Sequence, residues 1–183
     1  ISEIPLADTM KASTALFWLY LDPFLSSKLT LKSTVFKIEL PKFTFFEVYL
    51  TNATLNCSYQ TNKKVPPATQ VLFDSFPVNT WCMVTIKFRT ASKLLKVDVS
   101  VNCDKPLRCK LSIPYKSPKS LFSTYIVGNT TRFHGNRGLL SCVYQLDGFF
   151  LYDKLLVNAE IKNIYENAYK HSPLYYNPLF GYP

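Results

Sequence analysis

No apolar run in this sequence reaches the roughly 18–20 residues that cross a bilayer as a helix. The best candidate, Ala15–Leu21, is seven residues long and stops at Asp22 and Pro23. No heptad pattern persists and prolines number 12, which excludes a coiled coil. No C-x-x-C pair occurs among the five cysteines, so neither a zinc cluster nor a thioredoxin-like site is indicated. Helix-turn-helix, zinc-finger and RNP-type strings are missing, and nucleic acid is not an expected partner. His134 and His171 are the only histidines. A catalytic triad around either would need Ser and Asp partners that no spacing brings near. Internal repeats and low-complexity stretches are absent as well.

What is present is an aromatic-rich globular composition. The 183 residues are 48% hydrophobic, 15% aromatic and 18% charged. That excludes a disordered chain, and the length supports a full core without metal or disulfide staples. Lysine and arginine number 21 against 12 acids, a net charge of +9. The excess is concentrated between Lys87 and Lys119, where nine basic residues meet only Asp98 and Asp104. Such a stretch can attract anionic lipid headgroups, RNA or an acidic face of another protein. Solvated strand faces and a charged loop would produce the same run.

Cys57, Cys82 and Cys142 lie in apolar, strand-like runs, where a thiol behaves as a small hydrophobe. Cys103 and Cys109 bracket a short segment that a disulfide could close. The odd cysteine count favours a reducing compartment. Three N-x-S/T sequons, at Asn52, Asn56 and Asn129, point the other way, toward secretion, although chance composition comes close to that number.

Strand signals dominate the chain. Ala15–Leu21, Val35–Leu40, Phe45–Leu50, Thr54–Tyr59, Gln70–Phe73, Trp81–Phe88, Leu94–Val101, Leu121–Val127 and Tyr144–Tyr152 are short apolar or alternating runs. Their spacing is that of an all-β sandwich or barrel, and the period-two alternation is that of antiparallel sheets. Thr51-Asn52 is the expected turn of one hairpin and Arg89–Lys93 the link of another. Phe17, Leu19, Trp81, Met83, Ile86, Phe88, Leu95, Val97, Val99, Phe149 and Leu151 are candidate core. Trp81 and Met83 compete with Cys82 and Val84 for the inward face. Prolines mark Lys63–Pro67 and Lys105–Ser120 as loops, with no central strand in the second.

One helix of about ten residues is expected after the last strand, from its stripe spacing. Asn158 is its N-cap, Glu160 sits in the first turn, and Ile161, Ile164, Tyr165 and Ala168 form the stripe. Such a helix is expected to plug one end of the sandwich. The tail from His171 to Pro183 is aromatic, proline-rich and free of Asp, Glu, Lys and Arg. It is expected to pack on the domain, residues 1–170, or on a neighbour.

Several strings resemble laminin-G-like and concanavalin-A-like domains. They are Ala15–Asp22, Thr80–Ile86, Leu94–Val101, Tyr125–Asn129 and, most specifically, the closing Gly148–Ala168. The closing segment also resembles the concanavalin-A-like module of BEACH-family proteins, though the string that follows the helix there is lacking here. The resemblance implies an all-β, antiparallel two-sheet jelly-roll sandwich with one short C-terminal helix. It implies a non-enzymatic interaction module of a larger multidomain protein. In the BEACH-type form this is a cytoplasmic, peripheral-membrane scaffold in vesicle trafficking. In the laminin-G-like form it is a secreted domain binding glycan or matrix. The first residue, Ile1, agrees with a piece of a longer chain.

No cofactor is expected. The sandwich glucanases' E-x-D-x-x-E string is missing, and Glu39, Glu47, Asp98 and Asp147 are isolated acids expected on exposed strand faces. Asp74 and Asp147 are the acids that could serve a rim calcium, yet no D-x-D-x-D-G loop supports one, so no metal is expected. Two binding surfaces remain. One is the basic patch Lys105, Arg108, Lys110, Lys116 and Lys119. The other is the loop with Arg132, Phe133, His134, Asn136 and Arg137, suited to a sugar or peptide. Expected partners are a protein or neighbouring domain, an anionic membrane surface, or a glycan.

Overall fold

The computed structural model describes residues 2–5, 12–22, 32–40, 44–62, 64–102, 107–114, 122–127 and 144–171. Eleven strands and one helix occupy them. The strands are β1 (Ser2–Pro5), β2 (Ala12–Leu21), β3 (Ser33–Leu40), β4 (Thr44–Thr51), β5 (Thr54–Gln60), β6 (Ala68–Phe73), β7 (Trp81–Ala91), β8 (Leu94–Asn102), β9 (Leu107–Pro114), β10 (Phe122–Val127) and β11 (Tyr144–Tyr152). The helix α1 spans Asn158–His171. Two sheets form, one in the order β1-β10-β3-β4-β5-β6 and the other β11-β2-β7-β8-β9. Every pairing is antiparallel. The chain is therefore an all-β jelly-roll sandwich closed by a C-terminal helix.

Alternation decides which side chains fill the space between the sheets. On β7, Cys82, Val84, Ile86 and Phe88 point into it, and on β8, Leu95, Val97, Val99 and Val101 do. Trp81 and Met83, expected among these, belong instead to the opposite face of β7. Two bulges complete the core by shifting parity. In β3 the register slips between Thr34 and Phe36, and both Val35 and Phe36 turn inward. In β11 it slips between Asp147 and Phe150, where two residues oppose one on β2. Gly148 takes a positive φ of 55° there, and a Cβ would lie 3.3 Å from the Trp18 ring. Tyr144 and Leu146 face inward before that bulge, and Phe149 and Leu151 after it. Phe36 of one sheet thus meets Phe17, Phe88 and Phe149 of the other, with ring centroids 6.0–6.3 Å apart.

Strand β2 is buried on both faces, which explains its unbroken apolar run. Ala15, Phe17, Leu19 and Leu21 face the other sheet. Leu16 and Trp18 face away and join Met83, Leu156 and Ile161 in a second cluster beneath α1. The helix therefore lies across the outer face of the five-stranded sheet and does not plug an end. Trp18 stacks on Tyr165 with centroids 5.5 Å apart. The buried hydroxyl of Thr14 donates to the Lys154 carbonyl at 2.8 Å and accepts from the Leu156 N–H at 3.0 Å, pinning the approach to α1.

The cap differs from expectation. The Val157 carbonyl accepts the first helical bond, from the Ile161 N–H at 3.1 Å, so Val157 occupies the N-cap. Its own N–H donates to the Glu160 carboxylate at 2.8 Å, one half of a capping box. Asn158 is thereby released to point its side chain at the sheet.

The segment expected as a loop over Lys105–Ser120 contains strand β9. It is the edge strand of its sheet. Pro114 ends it, as the missing N–H of proline permits only at an edge. The hairpin turns also differ from expectation: the first is shifted by one residue, to Asn52-Ala53 between β4 and β5, and the second is only Ser92-Lys93 between β7 and β8, three residues shorter than Arg89–Lys93. All four residues have positive φ, from 47° to 64°, the geometry that matches strand twist and normally calls for Asn-Gly. Lys93, exposed and at φ 64°, bears that cost without compensation. Lys93→Gly is expected to raise stability by about 1 kcal/mol, read as a higher denaturant midpoint at unchanged slope.

Candidate functional site

The outer face of β7, β8 and β9 is built by alternation alone. Lys87 and Arg89 alternate with inward Ile86 and Phe88. Lys96, Asp98, Ser100 and Asn102 alternate with inward valines, and Arg108 and Lys110 with Leu107, Cys109 and Leu111. Strand pairing then sets these side chains in rungs. Lys87, Asp98 and Lys110 form one, and Thr85, Ser100 and Arg108 the next. Arg89 stands directly opposite Lys96. Like charges directly opposite each other destabilise a sheet. Five cations against the single acid Asp98 make this face strongly basic.

Asp98 is already engaged. Arg108 donates from Nε to its carboxylate at 2.9 Å and pairs with it again through Nη2. These bonds, more than the surrounding charges, hold the Asp98 carboxyl below the ordinary carboxylate range. The unfolded chain takes up that proton at higher pH than the folded one, so the pair stabilises at neutral pH. Its contribution fades as pH falls through the ordinary carboxylate range to the folded value. Asp98→Asn is expected to cost no more than about 1 kcal/mol at neutral pH, because both partners are partly exposed. It should also flatten the acid side of the stability profile; an unchanged acid limb would contradict the pairing.

A groove of about 470 Å³ runs between this face and α1. Lys87, Ser100, Asn102 and Arg108 line it from the sheet, and Lys162 and Tyr165 from the helix. Lys162 reaches Glu166 at 3.7 Å. Among the described residues, the side chain of Lys87 hydrogen-bonds only to the Asn158 Oδ1, at 3.5 Å. Burial pulls the Lys87 ammonium below the ordinary lysine range, against the pull of the more distant Asp98.

Of the basic patch expected from the sequence, Arg108 and Lys110 lie on this face, while Lys105, Lys116 and Lys119 lie outside the described residues. The loop carrying Arg132, Phe133, His134, Asn136 and Arg137 also lies outside them, as does the tail beyond His171. Reading charge along the chain missed Lys87, Arg89 and Lys96 as parts of the same surface. The signal was available, because their alternation with valines, Ile86 and Phe88 assigns them to one face once β7, β8 and β9 are set in register.

The isolated acids do not assemble. Glu47 is buried, accepts from the Thr34 hydroxyl at 2.6 Å and pairs with Lys32; Glu39 pairs with Lys37. Asp147 accepts the adjacent Gly148 N–H at 2.7 Å. Asp74 follows β6, on an edge of the other sheet from β11 and Asp147, so the two proposed calcium ligands stay apart. Among the described residues no three His, Cys, Asp or Glu side chains group to hold a metal. Cys57 and Cys109 carry free thiols, Cys82 is buried, and Cys103 and Cys142 lie outside the described residues. Burial, with Cys109 nearby, pushes the Cys57 thiol up to about 12, far from a reactive thiolate. Of the sequons, Asn52 is exposed on its turn, whereas Asn56 is buried and donates to the Thr54 carbonyl at 3.0 Å. Asn129 lies outside the described residues.

Fold and surface together define an antiparallel β-sandwich with a basic, grooved outer face. The sequence matches no protein-family model and no curated protein. Its fold is similar to that of several solved toxin domains. The binding domain of botulinum neurotoxin serotype D gives a TM-score of 0.61 at 16% identity, over 86% of this chain and 37% of that one. The binding domain of Paraclostridial Mosquitocidal Protein 1 gives 0.59 at 11% identity, over 91% and 41%. The binding domain of botulinum neurotoxin DC, solved in complex with SialylT, gives 0.56 at 13% identity, over 87% and 37%. The chain thus spans less than half the length of the structures it matches.

Proposed function

We propose that this chain is a non-catalytic binding domain of a larger protein, and that the outer face of β7–β9 docks an acidic glycan. The observation that carries this reading is the opposition of Arg89 and Lys96 on a face with five cations and one acid. The fold would be more stable without that rung, so a ligand that supplies the missing negative charge accounts for it. The toxin structures of similar fold are described as binding domains, one of them in complex with SialylT, which supports a gripping role and a glycan partner. Lectin-like or laminin-G-like membership of the concanavalin-A-like class, and a secreted location, belong to this proposal. So does a domain of residues 1–170 with the tail 171–183 packed on it or on a neighbour.

A second reading has its own support. The free, buried thiol of Cys57 suits a reducing compartment, where a BEACH-type trafficking scaffold would set the same face against an anionic membrane. One experiment separates the two. The whole chain is titrated with a sulfated heparin-type oligosaccharide and, separately, with phosphatidylserine vesicles at low salt. Tight oligosaccharide binding, weakened roughly tenfold or more by the combined Arg89→Gln, Lys96→Gln and Lys110→Gln changes, is the expected result. Binding to vesicles alone favours the membrane reading. Binding to neither, or binding that the triple change leaves intact, contradicts a role for this face.

A further inference from the structure

Beside the broad basic face, the groove under α1 has a narrower chemistry of its own. Of its three cations, two are committed, Arg108 to Asp98 and Lys162 to Glu166. Lys87 is left with no carboxylate within ion-pair distance among the described residues and only a long bond to Asn158. Ser100 and Asn102 beside it make no side-chain hydrogen bond to another described residue. Lys87, Ser100 and Asn102 thus present polar groups to the groove that the described residues leave largely unengaged. Opposite these groups, Ile161 and Tyr165 of α1 supply an apolar wall. A volume of about 470 Å³ fits a small ligand held by a few polar groups on an apolar wall.

We propose that the groove between α1 and the β7–β9 face binds one carboxylate-bearing, sugar-sized ligand, with its carboxylate on Lys87. One uncommitted charge calls for one negative charge. A phosphate dianion would leave a charge unmatched and approach the carboxylates of Asp98 and Glu166. The hydroxyls of a sugar would meet Ser100 and Asn102, and its C–H face would lie on Tyr165. The inference rests on the reading of the chain as a binding domain, yet its residue is distinct from Arg89, Lys96 and Lys110.

Calorimetric titration of the whole chain with D-glucuronate, D-glucose and glucose 6-phosphate, at neutral pH and low salt, tests it. Glucuronate should bind on the order of millimolar, as a fragment-sized ligand does, and glucose roughly tenfold more weakly. Lys87→Gln should reduce glucuronate binding to the level of glucose, Lys87→Arg should retain it, and Ser100→Leu should weaken it by blocking the groove. Circular-dichroism melts confirm that each variant is folded. Absent glucuronate binding, equal binding of glucose, preference for the phosphate sugar, or full binding by Lys87→Gln would each overturn the proposal. If the triple variant loses the oligosaccharide but keeps glucuronate, the groove stands apart from the face. If Lys87→Gln alone is silent while the triple variant loses the oligosaccharide, only the groove falls.

Discussion

Phe36→Ala should remove about 3–5 kcal/mol of folding stability, the usual cost of deleting a buried aromatic ring. The ring is fully buried and packs from the six-stranded sheet on Phe17, Phe88 and Phe149, beside Phe46 of β4, which meets Phe88 edge-on at 5.7 Å. Against a total of about 5–15 kcal/mol for a domain, the loss takes a third of the stability or more. Phe36→Leu keeps most of the volume and should cost clearly less. Urea denaturation gives the comparison; similar midpoints for the alanine variant and the parent would show that the sheets are not held together at this point.

The second large effect concerns α1. Trp18→Ala should also cost about 3–5 kcal/mol, but with a local signature that Phe36→Ala lacks. Trp18 is almost fully buried, stacks on Tyr165 and shares its cluster with Leu16, Met83, Leu156 and Ile161. A helix of 14 residues is marginal without such packing. Its loss of this surface should free the helix before the sandwich melts. Amide exchange across 158–171 should accelerate at denaturant concentrations where β7 and β8 remain protected. The helix is one wall of the groove, so glucuronate binding should fall with it. Helix exchange that rises only with global unfolding would mean that α1 is held by something other than this cluster.

The class of fold was legible because β7 and β8 alternate cleanly, and because the continuous run of β2 is short. What alternation could not supply was parity across the bulges. Val35 and Phe36 both point inward, and the inward set of β11 switches from even to odd positions at Gly148. The placement of Trp81 and Met83 failed for a related reason. Both faces of β7 are apolar near its start, and only the helix on the outer side tells why. Strand β9 was hidden by its flanking prolines, which permit an edge strand as readily as a loop. The short β1, at Ser2–Pro5, carries too little pattern to announce itself. For the binding surface, composition located the basic stretch, but proximity along the chain drew it toward Lys116 and Lys119. Proximity across strands joins Arg108 and Lys110 to Lys87, Arg89 and Lys96.

The proposed grip on an anionic ligand lies on the outer face of the five-stranded sheet. Backbone amide shift mapping during titration with the sulfated oligosaccharide tests it most directly. Perturbations are expected at Lys87, Arg89, Lys96, Arg108 and Lys110 and along the neighbouring side of α1, with β3–β6 unmoved. Perturbations gathered on β3–β6, with β7–β9 silent, would contradict it.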